Sequence, residues 1–166
     1  MRQANKQEIE ALPHYDARLS FFYVPEGDEF MEFATMACVE STDKKHSTGA
    51  VVVKDEKVLA MDSNQSGFKL PFLIRLHEKG LCVRRWLKIP SGERYDLCRG
   101  CAKPQDHAEN RVVRLAVKKH GLDKVKGAAV YLSGHWWCCK DCSDAMINVG
   151  ISTVVLVEGA KAKFGR

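Results

Sequence analysis

Six of the seven cysteines in this 166-residue chain fall into two groups: Cys82, Cys98 and Cys101, then Cys138, Cys139 and Cys142, with Cys38 alone. Each group contains a C-x-x-C, CRGC at 98–101 and CKDC at 139–142, and His107 lies between them. An odd cysteine count with no apolar leader at the N-terminus points to metal ligation rather than to a disulfide framework. CKDC opens a predicted helix, whose N-terminus stabilises thiolates and aims both sulfurs at one point. With His107 it supplies three ligands to a tetrahedral zinc and leaves one position for water. Glu109 follows the histidine by two residues, where its carboxylate can face that water without ligating the metal. That is the place of a proton shuttle.

The other group brackets a segment, 63–106, that has no long period and carries Gly67, Pro71, Gly80, Pro90, Gly92, Gly100 and Pro104. So long an irregular stretch inside a domain needs something other than a core to fix it. A second, structural zinc on Cys82, Cys98 and Cys101 would do so. Its fourth ligand is open among His77, His46, Asp43 and Cys38, with His77 preferred because it lies in the same segment. The alternative is a set of free buried thiols.

The elements that must position these residues are readable in part. Residues 1–27 are polar and end in Pro25-Glu26-Gly27, and are expected to form an N-terminal extension that packs on a neighbour or frays. Residues 28–166 are expected to form the domain that carries these motifs, with 63–106 as an insertion in it. Beyond Asp28, a helix N-cap, Phe30, Phe33, Ala34, Ala37 and Cys38 recur at helical spacing. GAVVVKDEKVLAMD predicts a β-hairpin at about 49–53 and 57–62. LPFLIRLHEK and GLCVRRWL each have room for a short helix. HAENRVVRLAVKKHG predicts a helix closed by Gly121, GAAVYLSG at 127–134 a strand, CCKDCSDAMINVG at 138–150 a helix, and ISTVVLVEG a last strand. This alternation predicts an α/β sandwich with a parallel section of sheet.

Hydrophobic residues make up 45% and charged residues 28% of the chain, which suits one domain and excludes a disordered polymer. The net charge of +5 suits phosphorylated ligands. No basic and aromatic stretch of the kind that binds RNA is present, so nucleic acid is not an expected partner. No run approaches the roughly 18 to 20 apolar residues of a membrane span. The expected compartment is the cytoplasm.

Taken singly, HAE is a common triplet, and CKDC serves equally as a structural half-site or a redox pair. Together they match H-x-E followed by C-x-x-C, the signature of zinc deaminases. From Thr48 to Glu158 the chain resembles the zinc-dependent cytidine and deoxycytidylate deaminase superfamily, in particular its dCMP deaminase branch. The residues that carry the resemblance are GAVVVKD at 49–55, Asn64, CVRRWLKIPSGERYDLCRG at 82–100, HAEN at 107–110 and CKDCSDAMINVGISTVVL at 139–156. It implies a cytidine deaminase-like fold, a three-layer α/β/α sandwich with a mixed sheet of five strands or a similar number. It also implies a catalytic zinc on His107, Cys139 and Cys142, Glu109 as acid and base, and a structural zinc in the insertion. The reaction implied is dCMP to dUMP and ammonia in pyrimidine nucleotide metabolism, by a homo-oligomer with dCTP and dTTP as effectors.

By the same resemblance, backbone groups at Ala108 and Cys139 read the pyrimidine edge, and Asn64 contacts the sugar. Lys44, Lys45 and Lys118 are the favoured cations for a phosphate, ahead of Arg111 and Arg114. Trp136 and Trp137 are candidates for stacking on the base or on a partner subunit. The chain departs from the family where Cys138 replaces a proline, where His135-Trp136-Trp137 precede it, and where CAKPQD at 101–106 is inserted before HAE. These departures leave open a different nucleotide or nucleobase as substrate, or a nucleotide-sensing member without activity.

Overall fold

The computed structural model describes residues 1–44, 46–90 and 93–165. Residues 1–27, expected as an extension, contribute two strands and a helix. β1 (Arg2–Gln3) is followed by α1 (Lys6–Glu10), which the reciprocal hydrogen bonds of Asn5 and Glu8 cap. β2 (Ser20–Val24) enters the sheet, and Leu19, Phe21, Tyr23 and Val24 are core residues. The reason is compositional: SFFYV is a short apolar run that can bury side chains on both faces of a strand. Its brevity hides it between polar neighbours.

Asp28 caps α2 (Glu29–Ala37), its carboxylate accepting from the backbone N–H of Phe30 and Met31 at 3.1 and 3.0 Å. β3 (Gly49–Lys54) and β4 (Lys57–Ser63) form the expected hairpin. Asp55 and Glu56 take φ of 48° and 56°, which makes the two-residue turn one whose twist matches the strands. The insertion then folds as two short helices, α3 (Pro71–Glu78) and α4 (Val83–Trp86). Next come α5 (Ala108–His120), α6 (Leu122–Val125), β5 (Ala129–Ser133), α7 (Lys140–Asn148), β6 (Thr153–Val157) and α8 (Ala160–Phe164).

The mixed sheet has six strands in the order β1-β2-β6-β5-β3-β4. β2, β6 and β5 are parallel, while β3 runs antiparallel to both β5 and β4. β3 is buried at five consecutive positions, as a strand covered on both faces must be. α2 packs on one face, where a Cβ on Gly49 would lie 2.1 Å from the Ala34 carbonyl oxygen. α5 covers β3 and β4 from the other face through Val112, Val113 and Ala116, with α7 beside it. The result is a three-layer α/β/α sandwich. Gly49 pairs with both Ser63 and Ser133. The start of β3 and the ends of β4 and β5 therefore share one edge of the sheet, and the segments leaving them meet there.

Candidate active site

His107 and Cys139 are the N-cap residues of α5 and α7, which lie side by side. This brings the His107 Nδ1 atom to 3.6 Å from the Cys139 sulfur and 3.5 Å from the Cys142 sulfur. A tetrahedral zinc with ligand bonds of about 2.0 to 2.3 Å has donor–donor edges of about 3.5 to 3.8 Å. The three atoms fit such an ion. The imidazole also hydrogen-bonds the backbone of Ala102, which fixes the ring. Asn110 donates to the Cys142 sulfur at 3.7 Å. A hydrogen bond from Cys142, supported by His107, lowers the Cys139 thiol against its burial, while Cys142 itself is raised.

A second cluster lies in the insertion. His77, Cys82, Cys98 and Cys101 are all buried and present their ligand atoms within 4.8 Å of one another. The Cys101 sulfur is 3.6 Å from the Cys82 sulfur and 3.6 Å from His77 Nε2, again tetrahedral edges. Burial pushes the Cys101 thiol up to about 12, whereas backbone N–H groups of Gly100 and Cys101 overcome burial to bring Cys98 down. Of the four residues open for the last position, His77 is the one the fold brings beside the three sulfurs. The Cys38 thiol instead lies 3.6 Å from the Ala34 carbonyl and 3.7 Å from that of Ser133.

Between the clusters is a cavity of about 440 Å³, within the usual range of small-molecule sites. Glu109, only 5% exposed, lines it together with Ala108, His107 and Cys139. The neighbouring Cys138 is wholly buried, and its thiol feels the charge of the Glu109 carboxylate. A buried carboxylate next to a histidine and thiolate donor set supplies the proton carrier of a metal-assisted hydrolysis.

Over residues 25–158 the sequence matches the model of the cytidine and deoxycytidylate deaminase zinc-binding region. The chain belongs to that family. It is accordingly an enzyme, a zinc-dependent deaminase. Among solved structures, the dCMP deaminase from the cyanophage S-TIM5 in complex with dCMP and dUMP is 21% identical, with a TM-score of 0.48 over 81% of this chain and 84% of that chain. Guanine deaminase from Bacillus subtilis is 19% identical, with a TM-score of 0.47 over 84% of this chain and 70% of that one. A tRNA:A34 deaminase that carries out A-to-I editing at the wobble position is 21% identical, with a TM-score of 0.45 over 78% and 75% of the two chains. A search of curated protein sequences found no match.

The deaminase places the remaining expected residues unevenly. Ala108 and Asn64 line the cavity. Asn64 also ties down the loop before β3, since its amide oxygen accepts from Ser41 and Thr48 and its amide nitrogen donates to the His46 carbonyl. One N–H of the side chain stays available to a ligand. Lys44 turns away from the cavity to donate to the Val39 carbonyl at 2.7 Å, and Lys118 is exposed on α5. Lys45 lies outside the described residues. Arg111 is paired with Asp62 at 3.0 Å, and Arg114 reaches the Gln105 carbonyl.

Trp136 faces away from the cavity, beside Lys161, whose ammonium sits 5.5 Å from its ring centre. Of the two tryptophans expected as stacking candidates, Trp137 is the one in the cavity wall. The turn responsible begins at Gly134, where φ is +81° and a Cβ would lie 2.1 Å from the Ser47 carbonyl oxygen. Sequence reasoning did not select Arg84, Arg85, Tyr95 or His135 for this cavity, which they also line. Their one sequence signal is membership of the cysteine-bracketed insertion or the HWWCC run.

Proposed function

We propose that this deaminase converts dCMP to dUMP and ammonia. The observation that carries the reading is the buried Glu109 carboxylate beside the His107, Cys139 and Cys142 donors, in a cavity that Asn64 and the insertion also wall. Zinc held by those three residues supplies the Lewis acidity that makes water a nucleophile at neutral pH. Glu109 takes the proton of the attacking water and passes it to the ring nitrogen, then carries a second proton to the departing ammonia. Backbone groups of Ala108 and Cys139 hold the pyrimidine edge, and the spare N–H of Asn64 meets the sugar.

A second zinc on His77, Cys82, Cys98 and Cys101 orders the insertion. Leu70, Phe72, Trp86 and Leu87 are exposed on that insertion and support assembly into a homo-oligomer. dCTP and dTTP are the effectors this reading entails. No helix among the described residues is long and apolar enough to cross a membrane.

The test is ammonia release from dCMP by the zinc-loaded protein, with and without dCTP and magnesium. Glu109→Gln should keep its zinc and its fold and lose about 10²- to 10⁴-fold in turnover. Absence of release by folded, zinc-replete protein overturns the dCMP assignment.

A further inference from the structure

The cations expected to meet a phosphate lie elsewhere or outside the described residues, yet the cavity has a positive wall. We propose that Arg84 and Arg85, on α4, recognise the anionic group of the substrate, and that the second Cys/His cluster holds them in place to do so. The proposal rests on the reading of the cavity as a nucleotide deaminase site.

Both arginines line the cavity with Glu109 and Asn64, and both are half-buried. Among the described residues neither has a carboxylate within ion-pair distance. Arg111, the other half-buried arginine described, is paired with Asp62. A partly desolvated guanidinium without a counter-charge is costly unless a ligand supplies one. Two adjacent planar forks match the oxygens of a phosphate better than any lysine does.

Arg84 is also rigidly set. It donates from Nη2 to the Pro90 carbonyl at 2.8 Å, and its guanidinium carbon lies 4.2 Å over the Tyr95 ring. The Tyr95 ring in turn meets the His107 imidazole edge-on at 5.3 Å. A single aromatic ring thus separates the guanidinium from the candidate metal centre. That is the scale on which a sugar separates a base from its phosphate.

The anchor of this arrangement is the second cluster. Cys82 is the N-cap of α4, and its sulfur lies 3.6 Å from that of Cys101 in the same cluster. A helix of four residues cannot hold itself together, so the bonds through Cys82 and Cys101 set its position. Arg85 shares that anchor, and its contact with the Glu78 carbonyl, long at 3.5 Å, leaves most of its five donors for a ligand.

The experiment compares kcat/KM for dCMP with that for deoxycytidine, which lacks the phosphate, in the zinc-loaded wild type, Arg84→Gln and Arg85→Gln. Either substitution should shrink the preference for the nucleotide by about 30-fold or more, mainly through KM. Lys119→Gln, which removes an equal charge from an exposed site on α5, should leave the preference as in the wild type. Zinc content and circular dichroism identify variants that fail to fold, and Arg85→Gln, which spares the Tyr95 stack, keeps the test decisive. Retention of the full preference by folded Arg85→Gln and Arg84→Gln overturns the proposal. If the wild type does not turn over dCMP, the substrate assignment fails separately. Equilibrium binding of nucleoside monophosphates against nucleosides then decides: affinity gained from the phosphate and lost in the variants supports the arginines, and affinity indifferent to them sinks the idea.

Discussion

At the scale of single residues, the chemistry depends on how Glu109 is held. Cys138, where the zinc-deaminase signature has proline, puts a thiol under the influence of that carboxylate. Burial first, and then the negative charge of Glu109, push the thiol well above its ordinary range, so it remains a neutral donor. A hydrogen bond to a charged group is worth about 1.5 to 3 kcal/mol. Cys138→Ala should therefore lower kcat by about 10- to 100-fold while leaving zinc content and KM near the wild-type values, and Cys138→Ser should recover most of the loss. Steady-state kinetics with metal analysis checks this, and a Cys138→Ala enzyme with wild-type kcat would show that the thiol does not position Glu109. The candidate ligands His107, Cys139 and Cys142 were legible because their spacing is local: each motif spans no more than a helical turn. Trp136 and Trp137 could not be told apart in the same way, since the backbone turn at Gly134 decides which ring faces the cavity.

Elements show where pattern reading stops. The hairpin, α2, α5, α7 and the last two strands follow from period and caps, because each repeats an apolar spacing over at least five residues. β2 does not, because it is flanked by polar residues with no cap or turn signal at its start. Its place is set by pairing with β6, more than a hundred residues away. Phe21, 2% exposed on β2, ties the N-terminal residues to the core. Phe21→Ala should cost about 3 to 5 kcal/mol in urea unfolding of the zinc-loaded protein. A loss under about 0.5 kcal/mol, the size of an exposed-site effect, would mean that β2 adds nothing to the core.

For the whole molecule, the deciding feature is the insertion, which folds over the shared strand edge and becomes the far wall of the cavity. The Gly67 amide donates to the Gly100 carbonyl at 3.3 Å, closing the segment on itself around the His77, Cys82, Cys98 and Cys101 cluster. The purified protein should carry two zinc ions per chain, and Cys98→Ser should carry one. Loss of that ion should expose residues 63–106 to limited proteolysis while leaving the sheet intact, as metal binding to such a site is itself folding energy. Metal analysis and peptide mapping test both points, and a single ion in the wild type contradicts the structural-zinc reading. The sequence by itself determined the α/β class, the deaminase family and the candidate ligands that the fold brings together, because helix periods and ligand spacings are short-range properties of the chain. Only the tertiary structure decided that residues 1–27 join the sheet, that His77 completes the second cluster, and that Arg84, Arg85 and Trp137 rather than Lys44, Lys118 and Trp136 face the cavity. Those outcomes depend on which distant segments meet at one sheet edge, and no local pattern encodes that meeting.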